Sequence, residues 1–353
     1  MSQSYPCSGC NADLKWSPGD GQLVCPYCGT TTEIGTEGQS AAVEELDLDS
    51  MLASAPTGWN AEVSEFKCSQ CGAYTTVEPH VTVSSCAFCG TSQLELQPQQ
   101  GDVIQPRSLL PFAVESGMAR RGFGDWVKSL WFRPNDLKRM SRLDALQGVY
   151  VPVFTFDMRT QTPWSAVAGH HYYVDVPDGK GGTRRERRTR WVPASGTIRR
   201  DFDDWLVPAT SGLSHELFNG LLPYDTSALV PYDSRYLAGF VAERYQVNLT
   251  SAWDTGRGEM VDVIHGLVVS DIPGDTYRDL DYNIQAWDKT FKHCLVPVWI
   301  AAYRYKGEVY RYLVNGVTGA RHGTAPYSWV KISLAVLAVG AAIAGAVWWL
   351  EQA

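Results

Sequence analysis

One stretch interrupts the mixture of apolar and polar positions along this chain: residues 332–350 read ISLAVLAVGAAIAGAVWWL, nineteen residues without a charge, bounded by Lys331 and Glu351. At 1.5 Å per residue, a helix of that length covers about 30 Å, the thickness of the hydrocarbon core of a bilayer. Trp329 with Tyr327 stands at one end and Trp348 with Trp349 at the other, as an aromatic belt at each interface requires. A helix buried on all faces would need a large core after it, and only Gln352 and Ala353 follow Glu351. The pattern therefore predicts a transmembrane helix over 329–351, with 332–350 in contact with lipid. Gly340, Gly345 and the nearby alanines make a small-residue face that either pairs with another helix or meets lipid alone. Arg304, Lys306, Arg311, Arg321 and Lys331 all precede the span, which places the body in the cytoplasm and the C-terminus outside, as a single-pass membrane protein.

Upstream, the periodicity changes twice. Residues 114–131 space Met118, Trp126, Leu130 and Trp131 helically, and Pro134 with Asn135 opens a second helix through Arg142 and Leu146, which predicts a helical hairpin. Strand patterns follow. Residues 149–156 and 294–300 share a Val-Pro-Val-aromatic core that hints at two related half-sheets. Further strands are predicted at 170–176, 190–199, 240–249, 301–305 and 308–314, with Lys306-Gly307 and Asn315-Gly316 as turns.

Cysteine usage changes the picture at the N-terminus. Eight of nine cysteines form four Cys-x-x-Cys pairs: Cys7 and Cys10, Cys25 and Cys28, Cys68 and Cys71, Cys86 and Cys89. Fourteen residues separate the two pairs of each set, so the unit is duplicated. Such a turn presents two sulfurs to one ion, and a hairpin returns the second pair to complete a tetrahedron. Asn11, Gly29, Gly72 and Gly90 follow the second cysteine of each pair, where the turn calls for a residue tolerant of positive φ. A thioredoxin-like redox pair needs a βαβ context that the pattern lacks. No secretory leader opens MSQSYPCSGC, which points to a reducing compartment and to metal rather than disulfides. All eight cysteines are thus predicted to hold two structural zinc ions in closed sites.

Charge narrows the partners. Residues 1–100 carry twelve acidic side chains against Lys15 and Lys67, whereas residues 101–353 carry 28 basic and 26 acidic ones. Four-thiolate zinc centres would add further negative charge, so phosphate backbones are repelled and nucleic acid is not an expected partner. Trp16, Tyr27, Tyr74 and Phe88 either stack on bases or, as the local charge favours, cover the small hairpin cores. The acidic stretch Glu44, Glu45, Leu46, Asp47, Leu48, Asp49 reads as a solvated tether or as a short partner-binding helix with Met51 and Leu52.

The remaining candidates are weaker. Arg184, Arg185, Arg187, Arg188 and Arg190 form the one dense basic patch, a contact for anionic lipid headgroups or a solvated hairpin tip. His170 and His171 have no carboxylate at metal spacing and read as strand residues, and Cys294 reads as a buried apolar thiol. No phosphate-binding loop, serine elbow or His-Glu-x-x-His stands in the chain, so no catalytic residue is assigned and no enzyme is expected. An unrecognised enzyme would require a pocket joining His170 and His171 or Asp203 and Asp204, and any small-molecule substrate is unknown.

The fold class expected from all this is α+β. Two rubredoxin-like zinc ribbons (1–34 and 61–97) flank an acidic linker (35–60), followed by a helical segment (98–147), a β-rich domain (148–328) and the transmembrane helix. On the strings SLWFRPNDLKRMSRLDALQGVYVPVFTFD (129–157), FDDWLVPA (202–209), LVPYDSRYLAGFVAERYQV (229–247), FKHCLVPVWIAAYRYKGEVYRYLVNGVTG (291–319) and PYSWVKI (326–332), the chain resembles a bacterial family of twin zinc-ribbon, C-terminally membrane-anchored proteins. Members often carry the label primosomal helicase-like protein, yet the ATP-binding loop of a helicase motor is missing here. The resemblance implies an association with flotillin-like and phage-shock-protein A-like envelope-stress proteins. It implies an adaptor that brings soluble partners to the membrane, and it carries over only the eight ribbon cysteines.

Overall fold

The computed structural model describes residues 5–35, 43–54, 64–70, 74–77, 86, 88, 91–97, 104–137, 143–177, 179 and 182–352. Within them the chain is a mixed α and β structure. The first cysteine unit forms a three-stranded sheet of β1 (Lys15–Ser17), β2 (Gln22–Val24) and β3 (Thr31–Thr32). Strands β4 (Leu46–Asp47), β5 (Ser64–Cys68), β6 (Tyr74–Val77), β7 (Leu94–Gln97) and β8 (Ser108–Leu109) all join one larger sheet. Its frame is made by β9 (Leu143–Pro177), β10 (Thr183–Pro208) and, after the short β11 (Val230–Pro231), β12 (Val241–Ala242) and β13 (Thr276–Tyr282), by β14 (Gln285–Tyr305). Strands β15 (Glu308–Asn315) and β16 (Arg321–Gly323) complete it, thirteen strands in all among the described residues.

The apolar run at the start of β9 has no polar alternation because both faces of the sheet are covered there. Val149, Val151 and Val153 point into one core with Val296, Val298 and Ile300, while Tyr150 points into another with Leu295, Trp299 and Ala301. The two Val-Pro-Val segments are direct neighbours, with Val151 opposite Val296 in an antiparallel ladder, and not members of separate half-sheets. Farther along β9 the alternation returns. Phe154, Phe156, Met158, Trp164, Ala166 and Ala168 face a third core, covered by the long helix Leu249–Asp271.

That helix replaces most of the strand expected at 240–249, where only Val241–Ala242 pairs. Asn248 caps it by accepting the Ser251 N–H at 2.8 Å, and Leu249, Ala252, Gly256, Met260, Ile264 and Val268 form its buried stripe. Gly256 allows the close crossing: a Cβ there would sit 2.8 Å from a Val207 methyl. The predicted helical hairpin is shortened at its far end. Ser116–Ser129 is a helix and Leu137 is helical, residues 138–142 lie outside the described residues, and from Leu143 the expected second helix gives way to β9. Pairing with β14 at Leu143 and Leu146 outweighs the helical spacing read from the sequence.

The acidic linker is not a tether where it is described. Leu46 and Asp47 pair with Phe291 and Thr290 of β14, Asp47 caps the helix Leu48–Ala53, and Leu48 is fully buried. The short helix thus turns its first apolar residue inward, away from any partner. Its acidic neighbours meet bases: Lys289 Nζ lies 2.7 Å from Asp49, Lys292 Nζ lies 3.0 Å from Glu45, and Arg107 pairs with Glu44. Residues 36–42 and 55–60 of this linker lie outside the described residues.

The Lys292 contacts belong to a buried network absent from the sequence reading. Lys292 also lies 2.7 Å from Asp204 and 4.0 Å from Asp157, with the lysine side chain 7% exposed. Asp204 reaches it from a β-bulge, where the backbone takes φ 50° and its N–H is donated to Asp157. Burial opposes the lysine charge, but hydrogen bonds to Asp204 and Glu45 outweigh it and hold the pKa above the usual range. Lys292→Met is therefore expected to cost about 3 kcal/mol or more, because it leaves Asp157 and Asp204 as uncompensated buried carboxylates. A lowered melting temperature and faster proteolysis around Glu45 would register the loss; an unchanged melt would show that the network is dispensable.

The C-terminal helix Trp329–Gln352 stands apart from this body. Over Trp329–Leu350 it is long and apolar enough to cross a membrane, and its apolar window is not covered by the rest of the chain.

Candidate metal centre

Local turn geometry builds the first cysteine cluster. The Cys7 N–H donates to the Ala12 carbonyl at 2.8 Å and the Cys25 N–H to the Thr30 carbonyl at 2.9 Å, each closing a turn five residues long. Asn11 at φ 61° and Gly29 at φ 74° provide the left-handed residues these turns need, as their positions in the sequence imply. The hairpin β1–β2 then returns the second pair to the first. All four Sγ atoms of Cys7, Cys10, Cys25 and Cys28 lie within 4.8 Å of one another. Two of the contacts, Cys7 to Cys28 and Cys10 to Cys25, are 3.4 Å. A tetrahedral thiolate site with metal–sulfur bonds of ~2.3 Å has sulfur–sulfur edges of about 3.8 Å, so the four side chains fit one metal ion.

Hydrogen bonds already favour thiolates at two of these positions. The Thr30 hydroxyl and backbone draw the Cys28 pKa down to about 6, and the Gly9 N–H, 3.3 Å from the Cys7 sulfur, lowers that of Cys7. Cys10 is pushed up to about 12: the Ala12 N–H pulls the other way, but the sulfurs of Cys25, Cys28 and Cys7 outweigh it. Cys28 and Cys7 are thus the two sulfurs that would give up their protons to a metal ion most readily, and Cys10 the one that would resist most.

The second set is described only in half. Cys68 and Cys86 are buried, at 0% and 2% exposure, while Cys71 and Cys89 lie outside the described residues. Cys86 nonetheless repeats the first unit: its N–H donates to the Thr91 carbonyl at 2.7 Å, again five residues on, and its sulfur accepts the Phe88 N–H at 3.4 Å. Strand β5, which leads into Cys68, pairs with both β6 and β7, whereas in the first unit the central strand is β2.

Neither unit hangs free of the body. Trp16 is buried, donates its indole N–H to the Phe112 carbonyl at 3.0 Å, and meets Tyr236 edge-on at 4.7 Å. Cys7, Leu14, Leu23, Cys25 and Ile34 share one core with Phe112, Tyr150 and Trp299. Cys68, Cys86 and Phe88 share another with Leu110, Val149 and Leu213. Of the candidate base-stacking aromatics, Trp16 and Phe88 are therefore buried. Tyr27 is 82% exposed, and the Tyr74 side chain lies outside the described residues.

The weaker candidates fall at separate places. His171 donates its backbone N–H to Asp275 and sits 3.0 Å from the Thr189 hydroxyl, as a strand residue does. His170 pairs with Arg190, while Asp203 and Asp204 occupy the bulge beyond Phe202, opposite Met158, so about 40 Å of strand separates the histidines from the aspartates. The five arginines are exposed along the end of the β9–β10 hairpin, where Arg184 and Arg188 flank Glu186 and Arg185 lies over the Tyr173 ring. Cys294 is fully buried, and burial pushes its thiol pKa up.

Two buried polar residues escaped the sequence reading: Glu243 and His293 line one small cavity with Tyr232 and Tyr245. Thr210 donates to Glu243 at 2.6 Å, and burial still raises its pKa to about 8. His293 Nδ1 lies 2.8 Å from the Ile104 carbonyl, an arrangement that uses its proton, and burial holds its pKa down to about 4. Because an unfolded histidine titrates near ~6.5, this group stabilises the fold fully above that pH and loses the contribution as the pH falls toward 4. Between pH 6.5 and 5 the loss is about 2 kcal/mol. Urea unfolding of the full chain in detergent is expected to show the gap between the native protein and His293→Asn narrowing by that amount at pH 5, and an unchanged gap would refute the assignment.

The chain is similar to the uncharacterized protein YdjG of Bacillus subtilis (strain 168), with 25% identity over 332 residues, 94% of this chain and 92% of that one. No family model matches the chain. No solved structure matches it either.

Proposed function

We propose that this chain is a membrane-anchored zinc-ribbon adaptor that holds protein partners at the cytoplasmic face of a bacterial membrane, in envelope stress or membrane organisation. The four-sulfur cluster carries the reading. It is closed by protein ligands on all sides, which suits a structural zinc ion and leaves no open position for catalysis. Cys68, Cys71, Cys86 and Cys89 would hold a second zinc ion in the same way. Each metal then stiffens a knuckle fastened to the body, so the units offer a fixed surface with Tyr27 at its exposed tip. The apolar C-terminal helix would keep that surface beside the bilayer. Flotillin-like and phage-shock-protein A-like proteins are the partners this reading expects. A nucleic-acid-binding role is the weaker reading, since it retains Tyr27 but loses Trp16 and Phe88 to the core.

Crosslinked copurification from detergent-solubilised cells tests this. The native chain is expected to enrich envelope-associated proteins several-fold over a Tyr27→Glu variant, which leaves the core intact where deletion of the unit would not. Equal recovery from both, or recovery of nucleic acid alone, would overturn the adaptor reading.

A further inference from the structure

The loop that leaves the helix Ser116–Ser129 carries two aromatic rings that the body does not use. Leu130 packs against the core beneath it, yet Trp131 is 77% exposed and Phe132 is 44% exposed. Next to them, Tyr327 and Trp329 are 61% and 76% exposed. Four large aromatic residues side by side in water form an unfavourable patch, and such a patch marks a contact surface.

The backbone fixes where this patch lies relative to the C-terminal helix. The Phe132 carbonyl accepts the Ser328 N–H at 2.8 Å, and Lys331 Nζ donates to the Trp131 carbonyl at 3.0 Å. Ser328 stands just before the helix, where its carbonyl accepts the Ile332 N–H at 3.0 Å. Ser328 and Ile332, the first residue of the charge-free stretch, are four helical rises apart, which is about 6 Å. The headgroup layer on each side of a hydrocarbon core is about 5–8 Å deep. A loop hydrogen-bonded to Ser328 therefore falls within that layer whenever the helix spans. Its chemistry suits the layer too. Tryptophan and phenylalanine rings favour the interface, Lys331 lies over the Trp131 ring at 5.8 Å, and Arg133 lies over the Tyr327 ring at 3.7 Å, so two cations stand at the level of lipid phosphates.

We propose that Trp131 and Phe132 form a second membrane contact, seated among phospholipid headgroups beside the span and fixing the tilt of the body on the bilayer. The proposal rests on the helix Trp329–Gln352 crossing the membrane. With the helix alone as anchor, the body would swivel about the chain near Ser328; with this loop seated, it has two points of attachment and one orientation.

The experiment places an environment-sensitive fluorescent amino acid at position 131, 343 or 27 of the full chain. Each variant is reconstituted singly into nanodiscs of phosphatidylethanolamine and phosphatidylglycerol. The expected result is a probe at 343 quenched by lipids brominated on their acyl chains, a probe at 131 blue-shifted and quenched by headgroup-labelled lipids, and a probe at 27 that behaves as in water. A probe at 343 in the bilayer with a probe at 131 in water would overturn the second contact while leaving the span intact. A probe at 343 in water would overturn the span itself. A blue shift at 131 without lipid quenching would assign the patch to a protein contact, a second copy included, and would also overturn the proposal. The same probe at 132 provides an independent reading.

Discussion

Replacing Cys25 with serine, or stripping the metal with a chelator, is expected to unfold residues 5–35 and to expose part of the body beneath them. The apolar residues of this unit, Leu14, Trp16, Leu23 and Ile34, are too few to fold a segment of this size unaided. Metal binding by four thiolates supplies on the order of 10 kcal/mol or more in small zinc peptides, which exceeds what these side chains contribute. Serine offers no thiolate and leaves three sulfurs of the four, so affinity falls by orders of magnitude. The damage spreads because the unit shares a core with Phe112, Tyr236 and Trp299, and losing Trp16 removes both its ring contact with Tyr236 and its hydrogen bond to Phe112. Elemental analysis should find less bound metal per chain in Cys25→Ser, and protease should cut within residues 5–35 while β9 and β14 remain protected. Equal metal content with an unchanged melt would refute the four-sulfur site.

What the sequence revealed and what it hid follow from the range of the forces involved. The two knuckles of the first cysteine unit are local: spacing, positive-φ residues and turn hydrogen bonds all fall within six residues, and they were legible. So was the apolar C-terminal run, because nineteen uncharged residues need no partner to be recognised. The helix Leu249–Asp271 was not, since its first turns carry Thr, Ser, Asp and two glycines, and its buried stripe is defined by the sheet it covers. Gly256 costs helix propensity, yet it is the residue that allows the crossing over Val207. The acidic linker misled for a related reason. Composition suggested a solvated tether, but Lys289, Lys292 and Arg107, which bind it, lie between 63 and 247 residues from their partners in the chain. Aspartates 204, 279 and 288 stand at bulges whose register only the partner strands set, each with φ near 50°. The docking of both cysteine units depended on contacts of that long range, and neither was legible.

Removing residues 329–353 is expected to shift the protein from the membrane fraction to the soluble fraction without unfolding it. The three cores close before the helix begins: the last core residue is Ala325, and no residue of Trp329–Gln352 belongs to any of them. Tertiary stability therefore does not depend on this helix, whereas membrane retention depends on its apolar surface. A gentler variant keeps the length and changes only the polarity. Val339→Arg with Ile343→Arg places two charges near the centre of the span, each costing about 3 kcal/mol on insertion. Six kcal/mol together is a factor of more than 10,000 in the partition between bilayer and water, enough to outweigh the contribution of several apolar residues. Carbonate washing of membranes separates the cases: the native chain stays with the pellet, while the truncated and doubly substituted chains leave with the supernatant and melt at the native temperature. A native chain that washes off, or a truncated chain that pellets as firmly as the native one, would mean that the exposed helix serves to bind protein and not lipid.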